Sequence, residues 1–191
     1  YWTKTSPAEM TFSPDADYPL INLEKGHFGV KIKGVLPKTI GAAGIVDVQC
    51  GTKSNVIPAD SEATFIGISP ADMKGWLAEL ADETGVEPTL SEDGDKRHVA
   101  LKGTAAHAAD PDMGNNTATA MLQLLAKIPG EGFEMLKKLH EIFPHGDGHG
   151  KAAGIYGCDD ESGEITVSFN VFNIDGEGNL FAQVDSRTPI S

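Results

Sequence analysis

The sequence predicts an α+β fold in which helices lie on one face of mainly antiparallel sheets. Three observations carry this. Segments with two-residue alternation interleave with segments of helical period. The last long segment reads as a hairpin. No Gly-x-Gly-x-x-Gly fingerprint accompanies the alternation, so a dinucleotide-binding parallel sheet is not indicated.

Residues 1–26 stand apart. Pro7, Pro14 and Pro19 punctuate them and no helix period appears. Ser13-Pro14-Asp15-Ala16-Asp17-Tyr18-Pro19 reads as a constrained loop, because each proline fixes its φ and biases the preceding residue to extended geometry. A strand follows Glu24-Lys25-Gly26, with Phe28, Val30 and Ile32 alternating against Lys31 and Lys33. Ile45–Cys50 is a second strand, with β-branched Val46 and Val48, and Glu62–Ile68 a third. The first helix opens at Ser69-Pro70-Ala71-Asp72: a capping serine, a proline at the first helical position and an acid near the positive dipole end. Met73, Trp76, Leu77 and Leu80 form its stripe and Gly85 its stop.

Asp93-Gly94-Asp95 marks a charged turn over residues 91–96. A long strand is predicted from Arg97 to His107, with Val99, Leu101, Gly103, Ala105 and His107 on one parity. A second helix runs from about Asn116 to Ile128, with Ala118, Met121, Leu122, Leu125 and Ile128 in phase, and Pro129-Gly130 ends it. A third covers about Glu131 to Phe143 and stops at Pro144. His145–Gly150 reads as a solvated, glycine-rich loop. The hairpin comprises Ile165, Val167, Phe169 and Val171, a turn at Asp175-Gly176-Glu177-Gly178, and Leu180, Ala182 and Val184. No short-period repeat is visible; a weak duplication is possible, since each half offers strands plus a packed helix.

Composition narrows the function classes. The chain has 191 residues, with 28 acidic and 15 basic side chains and a formal net charge of −13. That balance argues against binding nucleic acid through phosphate neutralisation. No run of about 18 apolar residues suggests a membrane span. Cys50 and Cys158 make no disulfide framework, which points to a reducing, cytoplasmic compartment. The first residues Tyr1-Trp2 and the last, Thr188-Pro189-Ile190-Ser191, suggest a piece excised from a longer protein.

Several residues invite a functional reading beside a structural one. His107 ends a strand before a proline-containing turn, where it would project into a cleft or bond nearby backbone. Asp15, with Asp17 two residues on, could ligate a cation or cap its own turn. Asn55 and Arg187 are surface residues or ligand contacts; arginine can grip a carboxylate with two charge-assisted bonds. His140, His145 and His149 have no standard zinc spacing, and a solvated loop is the expectation there.

Together these segments resemble PepV-type dipeptidases, within the wider carnosinase and aminoacylase group of di-zinc amidohydrolases. The resemblance rests on Phe12–Pro19 followed by Glu24-Lys25-Gly26, and on Ser54-Asn55-Val56-Ile57-Pro58. It rests further on Gly103-Thr104-Ala105-Ala106-His107-Ala108 with Gly114-Asn115-Asn116-Thr117-Ala118, and on Asp185-Ser186-Arg187-Thr188-Pro189. The motifs occur in the family's order and span nearly the whole chain. Asn116-Thr117 replaces the family's usual Asn-Ala.

The resemblance implies a two-domain zinc enzyme with an inserted lid. Residues 1–26 would be carried over from the catalytic domain, including the hinge. Residues 27–191 would form a bilobed lid with ferredoxin-like lobes of about 27–95 and 96–191. It implies His107 as donor to the developing oxyanion, Asn55 and Arg187 as the clamp on a dipeptide's C-terminal carboxylate, and Asp15 as one zinc ligand. The family's His-x-Asp motif, its adjacent Glu-Glu pair and its closing histidine ligand have no match here. The expectation is therefore a lid without most of its zinc site, inactive alone and partnered by a missing catalytic domain. Two zinc ions would sit in the intact parent and none stably in this chain. The rival expectation is a free-standing α+β interaction or small-ligand-binding module.

Overall fold

The computed structural model describes residues 21, 23–37 and 44–190. The proline-punctuated loop bearing Asp15 lies outside these described residues.

The architecture is α+β. Its centre is a seven-stranded antiparallel sheet built from β1 (Gly26–Val35), β2 (Gly44–Cys50), β4 (Asp60–Ile66), β5 (Glu87–Asp93), β6 (Lys96–Lys102), β10 (Thr166–Ile174) and β11 (Asn179–Thr188), in the order β1-β11-β10-β2-β4-β6-β5. Two short ribbons accompany it, β3 (Val56–Ile57) with β7 (Ala106–His107), and β8 (Cys158–Asp159) with β9 (Gly163–Glu164). Strands from both halves of the sequence share the main sheet: β4 pairs with β6, and β2 with β10. A cut near residue 95 would pass through the β5–β6 hairpin.

Among the described residues, three helices cover one face: α1 (Pro70–Thr84), α2 (Thr117–Lys127) and α3 (Glu134–Ile142). The α1 caps are those the sequence implies. Ser69 accepts from the Asp72 N–H at 3.1 Å, and left-handed Gly85 closes α1 by donating to the Ala81 carbonyl. Asn116 caps α2 through the N–H groups of Ala118 and Thr119. Between helices and sheet lies one core that includes Met73, Leu80, Phe65, Leu101, Met121, Leu125, Phe169 and Phe172, all essentially inaccessible. Burying each such side chain contributes about 1.5–3 kcal/mol. Cys50 is part of this core, and burial pushes its thiol up to about 12, offset in part by a bond from Ser61, so it is unreactive at neutral pH.

Several elements differ from expectation, each for a local reason. The third predicted strand is shifted two residues earlier, because Gly67 at φ 69° ends it. β5 falls partly where the sequence suggests a charged turn: it is an edge strand in which only Pro88 and Leu90 are partly buried, an alternation too short to mark it. The predicted 97–107 strand is two strands. At Gly103 the backbone leaves β6, donates to the Ala59 carbonyl at 2.7 Å and passes so close to Asn115 that a Cβ there would overlap its carbonyl oxygen. The third helix begins with a single tight turn, Glu131–Phe133, before α3.

The 145–150 loop is not loose. Asp147 accepts from the N–H groups of His149, Lys151 and Ala152, and His145 bonds Thr119 at 3.0 Å. His149 donates from Nδ1 to the Ile165 carbonyl at 2.8 Å and lies 3.1 Å from Asp112 through Nε2.

Candidate functional site

The β3–β7 ribbon stands off the main sheet. Val56 is the cross-strand partner of His107, and the Ala108 N–H donates to the Asn55 carbonyl at 3.0 Å, so Asn55 and His107 are neighbours. Ile57 and Ala108 point inward and are buried, while Asn55 and His107 are exposed. The ribbon therefore uses small apolar plugs to display two polar side chains.

The His107 ring is oriented by its own turn. The Ala109 N–H donates to Nδ1 at 3.1 Å. A nitrogen that accepts a hydrogen bond carries no proton, so the neutral ring holds its proton on Nε2. The imidazole thus offers an N–H donor on its outer edge.

Main-chain contacts hold the ribbon to the sheet. Asn170 lies at a bulge in β10 and is fully buried. Its Nδ2 donates to the Ser54 carbonyl at 2.6 Å, and its Oδ1 accepts from Ser168 Oγ at 2.5 Å. Gly51, at φ 63°, lets the loop lie against the bulge: any Cβ there would overlap the Asn170 carbonyl oxygen. On the far side of the ribbon, Thr117 Oγ1 bonds the Pro58 carbonyl at 3.0 Å and Ser61 Oγ at 2.7 Å.

Arg187 sits near the end of β11, opposite His27 on β1 and Thr166 on β10. Two residues earlier on the same face is Asp185, with 1% of its surface exposed. Arg187 Nε donates to Asp185 Oδ1 at 2.8 Å, and Nη2 reaches Oδ2 at 3.4 Å. His27 Nε2 donates to Oδ2 at 2.9 Å. Ser168, which bonds Asn170, is the cross-strand partner of Asp185. Buried Asn170, Ser168 and Asp185 thus lie in succession between Ser54, next to Asn55, and Arg187.

Sequence reasoning missed Asn170, Ser168, Asp185 and His27. A signal existed for Asp185, since aspartate and arginine at i and i+2 of a strand share a face. No comparable signal marked Asn170.

Asn55, His107 and Arg187 lie outside the main groove of the described residues. An open groove of about 880 Å³ passes Thr52, Lys53, Val56 and Ala105 on the ribbon's flank but includes none of the three. Among the described residues, no group of three or more His, Cys, Asp or Glu could hold a metal ion. No helix there is long and apolar enough to cross a membrane.

The fold and these side chains define an α+β domain that displays an imidazole, an amide and a guanidinium held against a buried carboxylate. Its relatives are dipeptidases. The sequence is 30% identical over 193 residues to a Beta-Ala-Xaa dipeptidase of Lactobacillus delbrueckii subsp. lactis, covering 99% of this chain and 41% of that protein. It is 24% identical over 201 residues to "Putative dipeptidase YtjP" of Bacillus subtilis, covering 100% of this chain and 42% of that one. The chain thus spans about two fifths of the length of these curated relatives. No family model matches it. It is a dipeptidase-related domain, homologous to one segment of those larger sequences, as the motifs imply.

Proposed function

We propose that this chain is the substrate-binding lid of a zinc dipeptidase acting on dipeptides or closely related short amides. The single observation that carries the reading is the Ala109 N–H bond to His107 Nδ1, which turns an Nε2–H donor outward on an exposed ribbon. A donor fixed before reaction meets a scissile carbonyl oxygen without reorganisation, and its bond strengthens as negative charge develops there. Asn55 would contribute its amide beside it, and Arg187 would hold the substrate's terminal carboxylate through a second pair of N–H groups.

The described residues do not fit a zinc site. Zinc, when bound, would polarise the carbonyl and activate water, and its ligands would come from the catalytic domain of the same polypeptide. Asp15 is proposed as this chain's one contribution to them, at the hinge. Cys50 and Cys158 are both free thiols, which supports a cytoplasmic setting.

The test uses the intact protein containing this chain. His107→Ala should lower kcat about 100- to 1,000-fold with little change in KM, as for other lost oxyanion donors. The chain alone, supplied with zinc and dipeptide, should show no turnover in the ordinary enzymatic range of about 1–1,000 per second. A normal kcat in the variant, or turnover by the chain alone, would overturn the reading.

A further inference from the structure

Asp185 is the feature of the site that the proposed roles leave unused. It is a carboxylate with 1% exposure in a strand, and a buried charge of this kind is costly unless it is paired. Both oxygens are occupied, Oδ1 by Arg187 Nε and Oδ2 by His27 Nε2 and, more distantly, Arg187 Nη2. The partners come from adjacent strands, since His27 on β1 faces Arg187 on β11 directly. A guanidinium has five N–H groups in one plane. With the Nε–Nη2 edge turned to Asp185, the Nη1–Nη2 edge remains as the flat, two-pronged face for another carboxylate.

We propose that Asp185 is a positioning residue that sets the plane of Arg187, and that His27, on the same carboxylate, completes the cradle. This rests on the proposed role of Arg187 as the carboxylate clamp. Asp185 itself touches no substrate. Its effect is to keep a long, flexible side chain in one rotamer, so that less freedom is lost when a substrate carboxylate binds.

The experiment compares kcat/KM for Ala–Ala and for its C-terminal amide in the intact protein, which isolates recognition of the carboxylate. Wild type should prefer the free acid by about 10- to 100-fold, the usual worth of a charge-assisted pair. Arg187→Ala should abolish the preference; if it does not, Arg187 is not the clamp and the proposed function fails at this point. With that established, Asp185→Asn should lower the preference at least fivefold, mainly through KM for the free acid, and should leave the rate on the amide nearly unchanged. A purely structural role would depress both substrates alike. Should the Asp185 variant fail to fold, Arg187→Lys decides. A lysine cannot present two planar faces at once, so it should lose most of the preference. Full preference in either a folded Asp185→Asn protein or the Arg187→Lys protein overturns the proposal.

Discussion

On the helix-facing side of the β10–β11 hairpin lie Val167, Phe169, Phe172, Ile174, Leu180, Ala182 and Val184, all within the core. On the other side lie Thr166, Ser168, Asn170 and Asp185, equally inaccessible but polar. The same strands thus bury two kinds of surface for two reasons. The apolar side gains by leaving water. The polar side gains nothing by burial as such, because each group must recover in the protein the hydrogen bonds it gave up. Ser168, Asn170 and Asp185 recover them, holding Ser54 on one flank and Arg187 on the other, whereas the Thr166 hydroxyl has no partner among the described residues. Of the two sides, one builds the domain and the other aims it.

The contrast predicts effects of different size and kind. The largest falls on the apolar side. Phe172→Ala should cost about 3–5 kcal/mol of stability, read by denaturant unfolding, since a full aromatic side chain would leave a packed site. A loss under 1 kcal/mol would mean that the core does not depend on this hairpin face.

On the polar side Asn170→Ala should cost about 1–3 kcal/mol, because the Ser54 carbonyl and the Ser168 hydroxyl both lose a partner. Its signature is local. Amide exchange should quicken at Ser54, Asn55 and Val56 while α1 stays protected. Uniform quickening across the chain would place Asn170 with the core residues instead.

The smallest effect concerns the 145–150 loop and pH. Partial burial pushes the Asp147 carboxyl up, but bonds from the backbone N–H groups of Ala152, Lys151, His149 and Gly150 outweigh it and hold it below 3.8. Its contribution is therefore present above that value and lost as pH falls through the lower folded value. For His149, partial burial favours the neutral ring, but the Ile165 carbonyl and Asp112 outweigh it and raise it above 6.5. That contribution is present below 6.5 and lost as pH rises through the folded value. Exchange at Lys151 and Ala152 should thus rise below about pH 3.8 through loss of the Asp147 bonds, and loosening around His149 should set in above about pH 6.5. Exchange that follows only the intrinsic base-catalysed slope would refute it.

What the sequence made legible was whatever is decided within a few residues. The α1 caps and the hydrophobic stripes depend on neighbours along the chain. The strand break at Gly103 was hidden because the alternation runs smoothly through it; only Ala59 and Asn115, distant in sequence, show why the ladder stops. The same holds at Asn170. Val167, Phe169 and Val171 read as one parity, yet the register shift carries Phe172 and Ile174 into core positions. His107, Asn55 and Arg187 were readable as motif positions. The residues that aim them are long-range partners, and a single sequence does not display partnership across 116 residues, as between Ser54 and Asn170.

The ribbon's attachment has a consequence for how such a domain can diversify. It is pinned largely through carbonyls and amides, at Ser54, Pro58 and Gly103, so side-chain identity at Asn55, Val56, Ala105 or Ala106 matters little to whether it stays attached. Gly51 and Gly103 are different, because any side chain there collides with a carbonyl oxygen. In a saturation library over this segment, survivors should be rich in variety at the display positions and monotonous at the two glycines. Variation at the display positions is then reachable by ordinary point changes, without passing through unfolded intermediates.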